Sequence, residues 1–305
     1  MAEVTWTDVA PRDGLQNISQ SVPTEVKVRL IKGLLAAGVP RVEATSFVSA
    51  QWVPQLADAA DVLRALGPEA LPRLRVLIPN RRGLELALEH GVGNVLYTIG
   101  ATDTFNRRNV NRSVAESLDD LDGVVAEAQE TGCAVDVAVS VSFGCPFEGA
   151  VDPQLVVDLC RELVARGAAE VGIADTIGAA DPAAVRELCA RVGDVVPDQR
   201  LSLHVHDTRG LGVANVLVAY EAGVTRFDGS SGGLGGCPFA PRSTGNVCSE
   251  DALQAVASAG GTHGCDLAAY CLVSETLASD LGVELPGKLY RAGIWNGASV
   301  EQPVA

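Results

Sequence analysis

His204-Val205-His206 sets two imidazoles two positions apart in a β-rich run. Alternate side chains of a strand share a face, so both rings point one way and Val205 the other. Such a pair can ligate a divalent cation, although two histidines bonded to backbone carbonyls would read the same. Asp13, in Arg12-Asp13-Gly14, and Asn246, in Gly245-Asn246, can complete the set. Two ring nitrogens, one carboxylate and one amide oxygen, without a thiolate, suit an octahedral Mg²⁺ or Mn²⁺, or Co²⁺, with open positions for a substrate better than structural zinc. Taken alone, Asp13 reads first as a turn or helix-capping aspartate.

Arg12 precedes Asp13 directly, and a guanidinium beside a metal can stabilise charge developing on an enolate oxygen. Its plainer role is a salt bridge to Glu43 or Asp175. Those acids end two β-rich runs, where a carboxyl can orient Arg12 or, if its pKa is raised, act as a base. Gly232-Gly233-Leu234-Gly235-Gly236-Cys237-Pro238 is too glycine-rich for a helix and reads as a mobile lid. A phosphate cradle competes, but the loop lacks a Gly-Lys-Ser/Thr ending and no helix starts directly after it. Cys237 could move a proton as the lid closes, or be a buried thiol. Cys145, in the similar Gly144-Cys145-Pro146-Phe147, has no glycine run around it and reads as packing.

The elements that must carry these residues alternate between short β-rich runs and helix-period segments. Strands are predicted at residues 4–9, 41–46, 74–78, 95–99, 134–142, 170–175, 201–206 and 226–229, each followed by a helical segment. Eight βα units favour a closed (β/α)8 TIM barrel over an open sheet. In such a barrel the seventh, eighth and first strands are neighbours, so Asp13, His204, His206 and Asn246 can meet at the rim where active-site loops gather. Ser249-Glu250-Asp251 should cap and open the eighth helix, and an additional C-terminal helix is predicted at 266–278. One domain is expected over residues 1–305, with the barrel at about 4–260, a helix and tail beyond it, and fraying from Trp295.

Composition narrows the function. A 305-residue chain with 47% hydrophobic and 20% charged residues can bury one large core. The net charge of −15 opposes nucleic-acid binding through general electrostatics, so an anionic substrate must find a local basic pocket. The first residues carry no basic n-region or Arg-rich presequence, and no run is apolar enough to span a bilayer, so a cytoplasmic location is expected. The eight cysteines form no C-x-x-C pair and, Cys237 apart, read as reduced core residues.

Pro11-Arg12-Asp13-Gly14-Leu15-Gln16-Asn17, Glu43-Ala44-Thr45-Ser46-Phe47-Val48-Ser49, His204-Val205-His206-Asp207-Thr208 and Gly233-Leu234-Gly235-Gly236-Cys237-Pro238-Phe239 together resemble the 3-hydroxy-3-methylglutaryl-CoA lyase family, from about residue 4 to 281. The resemblance implies a metal-dependent retro-aldol cleavage of a 3-hydroxy-3-methylglutaryl-CoA-like or other 3-hydroxy-3-alkylglutaryl-CoA thioester to acetyl-CoA and a 3-oxo acid such as acetoacetate. It implies Asp13, His204, His206 and Asn246 as metal ligands, Arg12 as the catalytic arginine, Cys237 as the loop cysteine, and Glu43, Asp175 and Glu250 as active-site acids. Arg12, Gln16, Ser46 and Arg209 are the expected substrate contacts, and a homodimer is implied by the resemblance alone.

One stretch departs from the family. Many members continue the histidine motif with tyrosine, glycine and glutamine, where this chain has Thr208-Arg209-Gly210-Leu211. Arg209 either adds charge near the metal or a carrier phosphate, making the acyl group differ from 3-hydroxy-3-methylglutarate, or is a salt-bridged surface residue. Two other functions compete. A condensing enzyme of the same barrel type would release free CoA with a 2-oxo acid, and a catalytically silent metal-binding scaffold would turn over nothing.

Overall fold

The computed structural model describes residues 3–197, 200–236 and 245–295. Eight parallel strands close in sequence order: β1 (Thr5–Asp8), β2 (Arg41–Ser46), β3 (Leu74–Ile78), β4 (Asn94–Gly100), β5 (Ala134–Ser140), β6 (Glu170–Asp175), β7 (Leu201–Val205) and β8 (Arg226–Gly229). The seam is made by β8 and β1, with Thr5 beside Arg226 and Asp8 beside Gly229. Around them run α1 (Thr24–Ala36), α2 (Ala59–Leu66), α3 (Arg81–Glu89), α4 (Asp103–Val110), α5 (Val114–Thr131), α6 (Pro153–Ala165), α7 (Pro182–Gly193), α8 (Gly212–Glu221), α9 (Ser249–Ser258), α10 (Leu267–Leu281) and α11 (Leu289–Ala292). The fold is the expected (β/α)8 TIM barrel with an additional C-terminal helix. Among the described residues no helix is long and apolar enough to cross a membrane.

The strands divide their side chains by alternation. Val42, Val76, Ile78, Val137, Val139, Val171, Ile173, Leu203 and Val205 are buried in the apolar core shared with the helices. The opposite positions point into the barrel, and there branched aliphatics give way to charge. Arg41 donates to Asp136 at 3.0 Å and to Glu170 at 2.8 Å, and Arg226 reaches Glu170 at 3.2 Å. Higher up, Arg75 donates to Glu43 at 2.9 Å and to Asp228 at 2.8 Å. Burying such ions costs desolvation that only close pairing offsets, so each needs its partners.

Three strands stop short of expectation at the rim, while β1 starts one residue late and β4 runs one residue further at each end. β1 stops at Asp8 because the Val9 carbonyl accepts from the amides of Arg12, Asp13 and Gly14 and winds a π-helical turn over Ala10–Gly14. β5 stops at Ser140 because Val141 has φ 55°, a left-handed conformation that breaks the ladder. β7 ends at Val205, and His206 instead bridges Asn246.

The C-terminal helix begins as expected, with the Asp266 side chain accepting from the amides of Ala268 and Ala269 at 3.0 and 3.1 Å. Ser249 is not the capping residue of α9. Cys248 holds that position without a side-chain capping bond, its Sγ donating to Glu250 Oε2 at 3.1 Å, and the Ser249 hydroxyl is turned to Asp8 at 3.1 Å. Tyr270 on α10 donates to the same Asp8 oxygen at 2.5 Å, which ties α10 to the end of β1. The tail predicted to fray lies outside the described residues beyond Trp295. Among the described residues the cysteines are free, and Cys145 is buried, in keeping with a packing role.

Candidate metal and catalytic site

The π-helical turn aims Arg12 and Asp13 across the mouth of the barrel, while β7 brings His204 and His206 up the adjoining wall. One ligand atom from each of Asp13, His204 and His206 can be chosen so that all lie within 4.8 Å of one another. Asn246 joins them, its Nδ2 donating to Asp13 Oδ2 at 2.7 Å. The backbone fixes that position, since Asp207 N donates to Gly245 O at 2.9 Å and Val247 N to Val205 O at 3.1 Å.

These residues fit a cation. The Nε2 atoms of His204 and His206 stand 3.1 Å apart. Asn246 Oδ1 and His206 Nδ1 are buried with no hydrogen-bond partner among the described residues. Burial and then the neighbouring His204 push His206 down to about 3, so its ring is neutral with a lone pair to give. Burial alone would raise Asp13, but Arg12 and then His204 hold it below the ordinary carboxylate range. His204 goes the other way: burial opposes its charge, and Asp228 and Asp13 outweigh it. Asp228 Oδ2 lies 3.7 Å from His204 Nδ1, an ion-pair distance too long for a hydrogen bond.

Arg12 is clamped. Its Nε donates to Glu43 Oε1, its Nη1 to Asp13 Oδ1 at 2.7 Å, and a longer contact of 3.4 Å reaches Gln16. Nη2 has no partner among the described residues. Gln16 returns a bond to Asp13 Oδ1 at 3.1 Å. Arg12, Asp13, Gln16, His204, His206 and Asp228 line one wall of a cavity of about 870 Å³. Its opposite wall is made of small or apolar side chains on β3 to β6, including Leu77, Leu96, Thr98, Ala138 and Ala174. Arg107, Arg108 and Arg112, from α4 and the loop after it, also line the cavity, with Arg107 near Asp103 and Glu116 at 3.7 and 3.6 Å and Arg112 paired with Asp120 at 2.9 Å.

Other expected residues sit near this wall without lining it. Glu43 is fully buried and holds Arg12 and Arg75. Asp175 accepts from the amides of Ala179 and Ala180 at 2.7 and 3.1 Å and so closes the turn after β6, with burial raising its pKa. Ser46 Oγ is buried without a partner. Glu250 accepts from Gly232 N at 3.0 Å and fixes the base of the glycine loop. Arg209 is spent on the carbonyls of Ile177 and Gly178, so it braces the loop after β6 and stays off the cavity wall. Cys237 lies outside the described residues. The glycine loop reaches the cavity at Gly236, whose carbonyl accepts from Asn17 Nδ2 at 2.9 Å.

Sequence reasoning missed Arg75, Asp228 and the arginines of α4. The signal for the first two was available: a charged residue at an inward position of a strand must find a buried partner.

The chain is similar to known proteins over most of its length. A family model described as HMGL-like matches residues 3–277. The chain is 41% identical to the (R)-citramalyl-CoA lyase of Chloroflexus aurantiacus over 96% of each protein. It is 43% identical to the hydroxymethylglutaryl-CoA lyase YngG of Bacillus subtilis, over 82% of this chain and 83% of that one. The solved structure of an HMG-CoA lyase from Acinetobacter baumannii, in complex with coenzyme A and 3-methylmalate, superposes with a TM-score of 0.93 at 35% identity, covering 99% of this chain and 98% of that one. Matched by the family model over residues 3–277 and by relatives of about 40% identity over most of its length, this closed barrel is an enzyme of the HMGL-like lyase family.

Proposed function

We propose that the chain cleaves a carbon–carbon bond in a 3-hydroxyacyl thioester of coenzyme A, releasing acetyl-CoA and an oxo acid, with Mg²⁺ or Mn²⁺ (Co²⁺ being an alternative) held by Asp13, His204, His206 and Asn246. The observation that carries the reading is the convergence of Arg12 with the Asp13–His204–His206 cluster on one wall of the cavity. When bound, the cation would acidify the substrate's tertiary hydroxyl and neutralise oxygen charge.

The protein's own groups supply the rest. Loss of the hydroxyl proton lets the carbinol C–O become a carbonyl as the adjacent C–C bond breaks, and that electron pair moves into a thioester enolate. Arg12, held on two sides by Glu43 and Asp13, offers Nη2 to the enolate oxygen. Cys237 is our candidate donor of the proton that converts the enolate to acetyl-CoA. Arg107, Arg108 and Arg112 suit the carrier phosphates. Arg108, lying 4.0 Å over the Phe147 ring, has no carboxylate partner among the described residues.

Two acyl groups are in contention. A 3-hydroxy-3-alkylglutaryl group, with 3-hydroxy-3-methylglutaryl the simplest, would give a 3-oxo acid such as acetoacetate. A citramalyl group, favoured by the Chloroflexus relative, would give pyruvate. Mass spectrometry of products from both thioesters with Mn²⁺, beside Arg12→Gln, separates them: the true substrate yields acetyl-CoA and its matching oxo acid only with wild type. Absence of cleavage of either overturns the lyase reading, and free CoA formed from acetyl-CoA and a 2-oxo acid would replace it with condensation. A cytoplasmic homodimer belongs to the same proposal, and light scattering tests its stoichiometry.

A further inference from the structure

We infer that Arg75 is a positioning residue that sets both Arg12 and His204 by holding the carboxylates behind them, Glu43 and Asp228. Arg75 rises from β3, is 1% exposed, and does not line the cavity. Its Nε and Nη2 approach Glu43 Oε2 at 2.9 and 2.6 Å, and Nη2 also reaches Asp228 Oδ2 at 2.8 Å. Glu43 gives its other oxygen, Oε1, to Arg12 Nε. Asp228 Oδ2 is the atom 3.7 Å from His204 Nδ1, and its Oδ1 has no partner among the described residues.

A single guanidinium therefore joins the arginine clamp on β2 to the carboxylate on β8 that backs a metal-side histidine. The chain of contacts runs Arg12, Glu43, Arg75, Asp228, His204, and Asp13 closes it into a ring by binding Arg12 Nη1 and sharing the ligand cluster with His204. Arginine is suited to the task because its planar fork presents several fixed donors to two carboxylates at once, whereas an ammonium is one compact point. Asp228 has no other hydrogen-bond donor among the described residues, so without Arg75 its carboxylate is free to turn away from His204. Partners behind a ligating histidine fix its ring orientation, and their loss typically weakens metal affinity or activity by about 10–100-fold.

The test compares Arg75→Gln, Arg75→Lys and, as a control at the barrel floor, Arg41→Lys. Mn²⁺ affinity is read by calorimetry on protein shown folded by circular dichroism, with kcat and KM measured on the thioester that wild type cleaves. Only the kinetic arm rests on the lyase reading. Arg75→Gln is expected to bind Mn²⁺ about 10–100-fold more weakly and to lose kcat with little change in KM. Arg75→Lys should recover part of both, and Arg41→Lys should keep wild-type affinity. Folded Arg75→Gln with wild-type affinity overturns the inference, as does an equal loss in Arg41→Lys, which would make the effect generally structural. Should Arg75→Gln not fold, Arg75→Lys decides, with undiminished affinity and kcat counting against the inference. Wild type that binds Mn²⁺ but cleaves no thioester sinks the lyase reading while the affinity comparison still judges Arg75, and wild type that binds no Mn²⁺ sinks both.

Discussion

Asn246 Nδ2 donates to Asp13 Oδ2 at 2.7 Å, a side-chain bond between residues 233 positions apart in the chain. It prearranges two of the proposed ligand side chains, carried by the segments that follow the strands on either side of the barrel seam. Binding to such a preformed set stabilises the fold by mass action, about 2.7 kcal/mol at a free ion concentration one hundred times Kd. Mn²⁺ should therefore raise the melting temperature and a chelator reverse it. Asp13→Asn should remove the shift, and a metal-dependent shift of wild-type size in that variant would exclude Asp13 as a ligand.

Arg12→Gln tests the chemistry separately from the fold. Glu43 keeps Arg75 when Arg12 is lost, so the variant should remain folded. Its kcat should fall about 10²–10³-fold, the scale for removing one preorganised donor to a developing oxyanion. Product formation at the wild-type rate would reject the role given to Arg12.

Gly245 has φ 97°, and a Cβ there would stand 2.6 Å from the Gly235 carbonyl carbon. Gly210 has φ 73° and nothing within 4 Å of a Cβ. Both alanine variants should lose stability by more than about 1 kcal/mol through left-handed strain. Only Gly245→Ala should also weaken Mn²⁺ binding, since its backbone fixes Asn246. Denaturant melts with calorimetry distinguish the two, and matched Mn²⁺ affinities would disconnect Gly245 from the site.

Glu250 carries a pH dependence. Burial raises its pKa from 4.5 to about 7, against the pull of its hydrogen bonds. A carboxyl with a raised folded-state pKa contributes stability that is fully present below its unfolded pKa and is lost as pH climbs through the folded one. Between pH 4.5 and 7 the wild type should thus lose stability relative to Glu250→Gln, which can still accept from Gly232 N. Two and a half units correspond to roughly 3 kcal/mol at most. Parallel stability curves for the two proteins across that range would refute the assignment.

The sequence made some of these groups easier to read than others. The outward aliphatics of the strands repeat at period two, so all eight strands were legible, most to within a residue or two. His204 and His206 were legible because alternation alone puts them on one face, and strand order then brought Asp13 and Asn246 to them. Strand ends were harder: the winding of the Val9 carbonyl onto three amides and the left-handed Val141 are local backbone turns that side-chain periodicity does not encode. Arg209 illustrates the other limit, for a charged residue beside a ligand motif can as well brace carbonyls as face a substrate. Glu250 is similar. Only the family resemblance placed it among active-site acids, and in the structure it holds a loop amide.

The seam between β1 and β8 gives the site a place in the history of each molecule. Asp13 is synthesised more than two hundred residues before Asn246. No partial chain ending before β8 can assemble the full ligand set, however well its early βα units have formed. With the proposed ligand set, full ion affinity would report closure of the ring, because a chain that stops before β8 lacks Asn246.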